Sequence, residues 1–166
     1  MTELRFPELI DTIRATQAAY HKLTVVVGGA RSGKTNVLKQ VAAELDLPLV
    51  NLNLLLSQRL LSKNRRQRSL NAGNVAIELV DEHIESGLCL DDTELLFDST
   101  LQMNPLVFLK DISRNRLIVA TWNGDFSGGK LVFGPVGHPD HFSQVVKGYP
   151  VVSVGASDKL QLHLTT

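Results

Sequence analysis

The sequence predicts an α/β fold in which a mostly parallel sheet carries helices on both faces. Apolar runs of strand length alternate with apolar residues at helical spacing along most of the 166 residues, which is typical of parallel crossover units. A glycine-rich segment lies between the first long apolar run and a helical pattern, and acidic residues follow a later apolar run. In such folds ligands bind at the carboxyl ends of the strands.

The glycine-rich segment reads GGARSGKT and fits the pattern G-x-x-x-x-G-K-[ST] of nucleoside-triphosphate-binding loops. Glycines let the backbone approach a triphosphate closely, and N–H groups at the start of a helix bind the anion. We expect Lys34 to reach the β- and γ-phosphates and the Thr35 hydroxyl to ligate Mg²⁺. The predicted nucleotide-binding residues are Gly28, Gly29, Ala30, Arg31, Ser32, Gly33, Lys34, Thr35 and Asn36.

This motif predicts a three-layer P-loop NTPase fold that forms a single domain over residues 1–166, with no separate C-terminal helical lid. Before the loop we expect an amphipathic helix, with Pro7 in its first turn, and then a strand from Leu23 to Val27. The apolar residues of that helix are Phe6, Leu9, Ile10, Ile13 and Tyr20. The helix after the loop has an apolar face formed by Val37, Leu38, Val41, Ala42 and Leu45.

The middle of the chain predicts a second strand from Leu47 to Leu52, a helix from Leu54 to Leu61 and a polar connection over residues 62–73. A further helix is expected to end at a capping Gly87. Its apolar face is formed by Val75, Ala76, Leu79, Val80 and Ile84. A short strand, Leu88 to Leu90, then leads into Asp91 and Asp92.

Later segments complete the predicted sheet. Asn104 and Pro105 can begin a helix, and residues 116–121 form a strongly apolar strand. Lys130 to Phe133 has the pattern of an extended segment in a glycine-rich stretch, where a hairpin is one possibility. The closing strands are expected at Tyr149 to Val154 and at the alternating Leu160, Leu162 and Leu164.

The acidic residues that follow a strand are the second part of the predicted site. Mg²⁺ is held by one or two carboxylates together with phosphates and water, and we assign Asp91 to this role beside Thr35. Asp92 or Glu94 would orient and polarise the attacking water, with Lys34 completing the predicted catalytic set. The alternative is a solvated acidic turn at a strand end.

Two polar residues end the other strong strand. Thr121 or Asn123 could place a neutral polar group near the γ-phosphate, and Asn123 is included among the predicted nucleotide-binding residues. A core hydrogen bond for Thr121 and a turn role for Asn123 before Gly124 are equally compatible with the sequence.

Five basic residues lie between positions 59 and 68 in a stretch without acidic residues: Arg59, Lys63, Arg65, Arg66 and Arg68. Three interpretations are open, namely a solvated face, a weak contact with DNA phosphates, or a source of an arginine inserted into the site of a neighbouring copy. Arg114 and Arg116 are rival candidates for such an arginine. His138, Asp140 and His141 suggest a loop rather than a metal site, because no cysteine or H-E-x-x-H frame accompanies them.

Composition limits the remaining function classes. The net charge of zero argues against a surface-wide field for nucleic acid or anionic lipid. No apolar run has the length of a membrane span, and the N-terminal segment has no signal-peptide pattern, so a cytoplasmic protein without membrane contact is expected. The single cysteine, Cys89, lies between two leucines and is predicted to be a buried free thiol.

Taken in order, GGARSGKT, LCLDDTELLFD and RLIVATWNG with the His-Pro-rich tail after it resemble the BrxF family, the small P-loop proteins of BREX bacteriophage-defence systems. The resemblance spans roughly Val25 to Phe142. It implies ATP binding at Gly28 to Thr35 and a Walker B role for Asp91, with Asp92 or Glu94 beside the water. It also implies a sensor-like place for Thr121 or Asn123 and partners among other defence-system proteins.

A more general likeness is to AAA+ and related ATPases, which carry an extra strand between the phosphate-loop strand and the acidic strand. The chain departs from that pattern because no helical lid is predicted after the sheet and the acidic pair is Asp-Asp rather than Asp-Glu.

The leading functional hypothesis is a Mg²⁺-dependent ATPase, slow on its own, whose nucleotide state controls its assembly with protein partners. The resemblance, together with the absence of an N-K-x-D motif, favours ATP over GTP. The alternatives are a small-molecule kinase, in which the arginine-rich segment closes over the phosphates, and a non-catalytic nucleotide-dependent module that binds DNA or protein. No acceptor pocket for a kinase is recognisable in the sequence.

Overall fold

The computed structural model describes residues 2–82, 87–156 and 159–165. The strands in this part are β1 Thr2–Leu4, β2 Leu23–Gly28, β3 Leu49–Asn51, β4 Gly87–Asp91, β5 Leu117–Asn123, β6 Asp125–Ser127, β7 Lys130–Phe133, β8 Phe142–Val145, β9 Val151–Val154 and β10 Leu160–His163. The α-helices are α1 Phe6–Ala15, α2 Lys34–Leu45, α3 Leu52–Leu60, α4 Arg65–Asp81 and α5 Pro105–Ile112. Short 3₁₀ helices cover Thr16–Ala18, Glu94–Phe97 and Ser99–Leu101.

Seven strands form one mixed sheet in the order β1-β10-β9-β2-β5-β4-β3. The five strands from β9 to β3 are parallel, while β10 and β1 extend the β9 side in antiparallel fashion. The predicted mostly parallel sheet is therefore confirmed. Strand β5 lies between β2, which leads into the glycine-rich loop, and β4, which ends at Asp91.

Helices cover both faces of this sheet, as expected. On one face α1 and α2 pack against alternate residues of the central strands, including Val26, Cys89 and Val119. On the other face α3, α4 and α5 pack against Val25, Leu90 and the remaining inward-facing residues. Because the parallel strands are covered on both sides, they are almost continuously apolar.

The segment after β5 forms a second, three-stranded antiparallel sheet in the order β6-β7-β8, which confirms the hairpin. An aromatic cluster joins it to the main sheet. Phe97 stacks on Phe133 with ring centroids 3.9 Å apart, and the indole N–H of Trp122 donates to the Val132 carbonyl at 3.1 Å. The small sheet is therefore fixed beside the end of β5.

Most predicted elements are present, with small shifts in their ends. The predicted helix starts of α1, with Pro7 in its first turn, and of α5 are confirmed, and the Asn104 side chain accepts from the backbone N–H of Val107. The closing strands are also present, although β10 ends at His163 and Leu164 is exposed. Cys89 is buried, and burial raises the pKa of its thiol to about 12.

Three local predictions were wrong. Residues 62–73 are not a polar connection, since α4 begins at Arg65, where Asn64 and Gln67 exchange the two hydrogen bonds of a capping box. Gly87 does not cap a helix. It begins β4, where a Cβ would lie 2.7 Å from the carbonyl oxygen of Leu117. Tyr20 is 66% exposed and lies beyond α1.

Ile84, which was expected on the apolar face of α4, lies outside the described residues. Among the helices that are described, none has the length and apolar character to span a membrane.

Candidate functional site

The glycine-rich loop connects the buried end of β2 to the first turn of α2. Two residues of the loop are left-handed: Gly33 has φ of 100° and Arg31 has φ of 63°. This conformation favours glycine, which the sequence supplies at position 33. A Cβ on Gly28 would collide with the Ser32 hydroxyl. The conformation of the loop therefore favours glycine at positions 28 and 33.

The first turn of α2 has no side-chain cap. The side chains of Asn51, Asn64 and Asn104 cap α3, α4 and α5, whereas no side chain caps α2 and its first turn contains no acidic residue. Uncapped N–H groups at a positive helix end favour an anion. Thr35 and Asn36 are exposed in this turn and line a cavity of about 360 Å³ together with the loop.

The Lys34 ammonium lies over the loop rather than in an ion pair. Its Nζ donates to the Gly29 carbonyl at 2.6 Å, to the Ser32 Oγ at 3.4 Å and to the Asn123 Oδ1 at 3.5 Å. Burial lowers the pKa of Lys34, and the negative charges of Glu94, Asp91 and Asp92 oppose that shift. Lys34 is therefore within electrostatic range of all three predicted carboxylates, and no described carboxylate neutralises it at salt-bridge distance.

Asp91 is the last residue of β4 and is 7% exposed. Its Oδ1 accepts a hydrogen bond from the Thr121 Oγ1 on β5 at 2.8 Å. The Thr93 hydroxyl donates in turn to the Thr121 carbonyl at 2.7 Å. Thr121 thus makes the core hydrogen bond that was one of its two possible roles, and its partner is the predicted magnesium ligand.

Asp92 leaves the strand in a left-handed conformation with φ of 49°. Burial raises the pKa of its carboxyl, and the charges of Asp91 and Glu94 add to the effect. Glu94 begins the 3₁₀ helix that follows. The two predicted water-polarising residues therefore lie on either side of one tight turn rather than along an extended strand.

Two asparagines that the sequence analysis did not select hold these acidic side chains. The Asn51 Nδ2 donates to the Asp92 Oδ2 at 2.7 Å, and the Asn53 Nδ2 donates to the Glu94 Oε2 at 3.0 Å. The Asn53 Oδ1 also accepts from the Leu95 N–H at 2.8 Å. The available signal was the Asn-x-Asn sequence at the end of the predicted strand from Leu47 to Leu52, since polar side chains at a strand end can reach a site at that edge of the sheet.

The strand register explains why these groups meet. Asn51 is paired with Asp91 across β3 and β4, and Gly28 is paired with Asn123 across β2 and β5. Parallel strands end on the same side of the sheet, so the loop, the acidic turn and both polar strand ends share that side. No hydrogen bond within the described chain joins Thr35 directly to Asp91.

A cavity of about 550 Å³ opens beside the acidic turn. Its lining includes Asp92, Glu94, Asp98, Phe133 and Asp140. This open space beside the predicted water-polarising carboxylates was not recognisable in the sequence.

The basic candidates lie away from this site in the same chain. Arg114 and Arg116 precede β5, at the opposite end of the parallel sheet from the loop. Arg114 packs over the ring of Tyr20, with its guanidinium carbon 5.0 Å from the centroid. Arg116 pairs with Asp81 at 2.8 Å. Either residue would complete a site only in another copy of the chain.

Much of the basic segment is engaged within its own fold. Arg59 pairs with Glu82, with nitrogen–oxygen distances of 2.6 and 2.8 Å. The Arg68 Nε donates to the Leu60 carbonyl at 2.9 Å. These contacts leave Arg65 and Arg66, which are exposed at the start of α4, as the main cations of this surface.

The histidine-containing segment is an ordered loop. The His138 Nδ1 accepts from the Asp140 N–H at 3.1 Å, and the Asp140 Oδ1 accepts from the Ser99 N–H at 2.9 Å. Within the described ranges, no group of three or more His, Cys, Asp and Glu side chains is arranged to hold a metal ion. A magnesium ion at Asp91 would therefore need ligands from a bound nucleotide and water.

No protein-family model and no curated protein matches this sequence.

Proposed function

We propose that the chain is a P-loop NTPase that binds and hydrolyses ATP with Mg²⁺, and that its nucleotide state controls assembly with protein partners. The observation that carries the proposal is the position of Lys34. Its ammonium lies over the glycine-rich loop within electrostatic range of Asp91, without a salt bridge to a described residue. A cation held this way beside an uncapped helix start is suited to a polyphosphate.

The residues fit the nucleotide and the metal in three respects. The lack of room for a Cβ at Gly28 and the left-handed φ of Gly33 both favour glycine, which leaves the backbone of the loop open at these positions. Backbone N–H groups and Lys34 can donate hydrogen bonds to the phosphates. The Asp91 carboxylate and the Thr35 hydroxyl offer oxygen ligands for Mg²⁺. Strand β5 between β2 and β4 is the arrangement that the likeness to AAA+ and related ATPases implies. When bound, Mg²⁺ would polarise the terminal phosphate.

Each residue of the proposed site has a task. Lys34 binds and orients the β- and γ-phosphates, and Thr121 fixes the Asp91 carboxylate through its hydroxyl. Asp92 or Glu94 accepts a proton from the attacking water, and Asn51 and Asn53 hold those two carboxylates in place. Asn123 contributes a neutral amide beside Lys34.

Equilibrium binding of a fluorescent ATP analogue with Mg²⁺ tests the nucleotide site. We expect Lys34→Ala to weaken binding by about 10- to 100-fold, because charge-assisted hydrogen bonds contribute about 1.5–3 kcal/mol. Lys130→Ala is the matched control, since it removes an exposed lysine of the small sheet. Equal binding of the analogue by the unmodified protein, Lys34→Ala and Lys130→Ala would contradict the assignment of Lys34.

Phosphate release tests hydrolysis. We expect slow turnover, because a site without an inserted arginine turns over about 10³- to 10⁵-fold more slowly than a completed one. We expect Asp91→Asn to abolish that turnover, since it removes the proposed carboxylate ligand of Mg²⁺. If the protein neither binds nor hydrolyses nucleotide with its partners present, the proposal is to be abandoned.

The partners proposed here are other proteins of a bacterial defence system, and the cytoplasm is the proposed location. The partners follow from the likeness to the BrxF family in GGARSGKT, LCLDDTELLFD and RLIVATWNG, whereas the location follows from the lack of an apolar run of membrane-span length in the sequence. Phage challenge of cells that carry the complete system tests this part. We expect Lys34→Ala to remove protection and Lys130→Ala to retain it.

A small-molecule kinase is the second candidate, and the cavity beside Asp92 and Glu94 favours it. Its volume of about 550 Å³ is within the range of small-molecule sites, but it is a shallow depression that is widely open to solvent. The two functions differ in where the γ-phosphate goes. Label recovered on a metabolite would support the kinase, whereas label recovered as inorganic phosphate supports the ATPase.

A further inference from the structure

The outer face of α4 carries apolar residues that the described fold does not cover. Leu70 is 68% exposed and Ile77 is 36% exposed. Gly73 lies between them at helical spacing, so the three residues share one face. The opposite face of α4 packs in the core through Ala72, Val75, Ala76, Leu79 and Val80. This helix therefore has a second apolar face, which we call the α4 stripe: Leu70, Gly73 and Ile77.

The α4 stripe forms one side of a groove against α5. The groove has a volume of about 310 Å³, and Val107, which is 50% exposed, lies on its other side. A second cavity shares Ser69 with this groove and continues to Arg65 and Arg66. The open surface thus runs along α4 from its basic first turn to Ile77.

Gly73 has no explanation within the described fold. Glycine weakens a helix interior relative to alanine, yet nothing lies within 4 Å of the place where a Cβ of residue 73 would be. No described neighbour requires a glycine here. A second helix that crosses closely at this position does require one, because the distance between two helix axes depends on the side chains at the contact.

Charged residues end the stripe on both sides. Arg66 lies one turn before Leu70, and Asp81 lies one turn after Ile77. Arg66 makes no ion pair with a described residue, and the side chain of Asp81 remains 55% exposed although it pairs with Arg116. Positions 66 and 81, like positions 70 and 77, are equally far from the midpoint between residues 73 and 74.

We propose that two copies of this chain associate through antiparallel α4 helices, with a two-fold axis beside Gly73. Arg66 then faces the partner's Asp81, and Leu70 faces the partner's Ile77. Each contact occurs twice, as in any isologous interface. The contact from residue 66 to residue 81 extends about 22 Å along the helix. This inference does not depend on the proposed nucleotide chemistry.

Sedimentation equilibrium of the full chain over a range of concentrations tests the association. We expect a monomer–dimer equilibrium without nucleotide. In Arg66→Glu and in Asp81→Lys the dissociation constant should rise by about tenfold or more, because each places like charges opposite one another at both ends of the interface. Glu44→Lys, an exposed charge reversal on α2, is the control and should leave the constant unchanged.

Mixing the two charge variants tests the antiparallel register. In a mixed dimer, Glu at position 66 of one copy faces Lys at position 81 of the other, and the remaining Arg66 faces the remaining Asp81. We therefore expect the mixture to form dimers that neither variant forms alone. Failure of the mixture to associate, when the unmodified chain does, would overturn the proposal.

Gly73→Gln tests the close approach without changing charge. The open space around Gly73 lets the substituted monomer fold, which circular dichroism verifies, while the added side chain separates the two helices. We expect monomers. A chain that remains monomeric at several hundred micromolar before any substitution, or dimers that persist in all three α4 variants, would also overturn the proposal.

Discussion

The Thr121 hydroxyl on β5 donates a 2.8 Å hydrogen bond to the Asp91 carboxylate on the neighbouring strand β4. Both side chains are buried. A buried carboxylate is stable only when its oxygens have partners. Thr121 therefore allows an acidic residue to lie at the buried end of a strand that is otherwise apolar.

Thr121→Val should destabilise the protein by about 1–3 kcal/mol, because it removes a hydrogen bond from a buried charged group without changing the shape of the side chain. Thr24→Val is the matched control. The Thr24 hydroxyl is buried on β2 without a hydrogen-bond partner in the described chain, so that substitution should be neutral or stabilising. Urea unfolding of both variants measures the difference, and equal losses would contradict the prediction.

Asp92→Asn should raise the melting temperature at neutral pH. Burial and the charges of Asp91 and Glu94 raise the pKa of Asp92, so the folded state favours the protonated carboxyl. The stabilisation associated with that proton is present at acid pH and is lost as the pH rises through the raised pKa. The substitution removes the charge that is unfavourable above that point.

The pH dependence of this difference separates charge from backbone effects. Asparagine also suits the left-handed conformation at position 92, but that gain does not vary with pH. We expect the gap in melting temperature between the variant and the unmodified protein to narrow toward about pH 4, where the carboxyl is increasingly protonated. A gap that stays constant from pH 8 to pH 4 would exclude the charge as its cause.

Gly28→Ala should destabilise the protein by about 1–3 kcal/mol, since the added methyl group meets the Ser32 hydroxyl and forces the loop to shift. Gly29→Ala is the comparison within the same loop. Nothing lies within 4 Å of a Cβ at position 29, so its unfolding free energy should stay close to that of the unmodified protein. Denaturant titration measures both, and a larger loss for Gly29→Ala would contradict the loop geometry.

Cys89 should not react with a thiol reagent in the folded protein at pH 8. It is fully buried between two apolar layers, and burial raises the pKa of its thiol to about 12, so the reactive thiolate is scarce. The chain has one cysteine, so a colorimetric thiol titration should count one reactive group after denaturation. Rapid reaction of the native protein would contradict the burial of this strand.

Much of the parallel sheet could be predicted because its strands are buried on both faces and form continuous apolar runs. The position of the loop between β2 and α2 could be predicted because the spacing of its glycines and Lys34 fits a specific sequence motif that lies between a strand and a helix. α4 could not be separated from its connection, because Arg65, Arg66 and Gln67 give no apolar signal in its first turn. Its start is set by the Asn64 cap, which the apolar pattern does not report.

The acidic part of the site was only partly predictable. Asp91 could be placed at a strand end from the sequence, but its partner Thr121 depends on the pairing of β4 with β5, which residue order alone does not give. The same limit applies to Asn51 and Asn53. Their contacts with Asp92 and Glu94 join segments about forty residues apart, so they depend on the order of strands in the sheet.

The end of β5 also couples the two sheets mechanically. The Gly124 N–H donates to the Gly28 carbonyl at 3.0 Å, and the Trp122 indole donates to the Val132 carbonyl of the small sheet at 3.1 Å. Only a few peptide units of β5 therefore separate the small sheet from Gly28, the first glycine of the glycine-rich loop. We therefore expect a macromolecule that binds β6, β7 and β8 to change the position of the glycine-rich loop without contacting the loop itself.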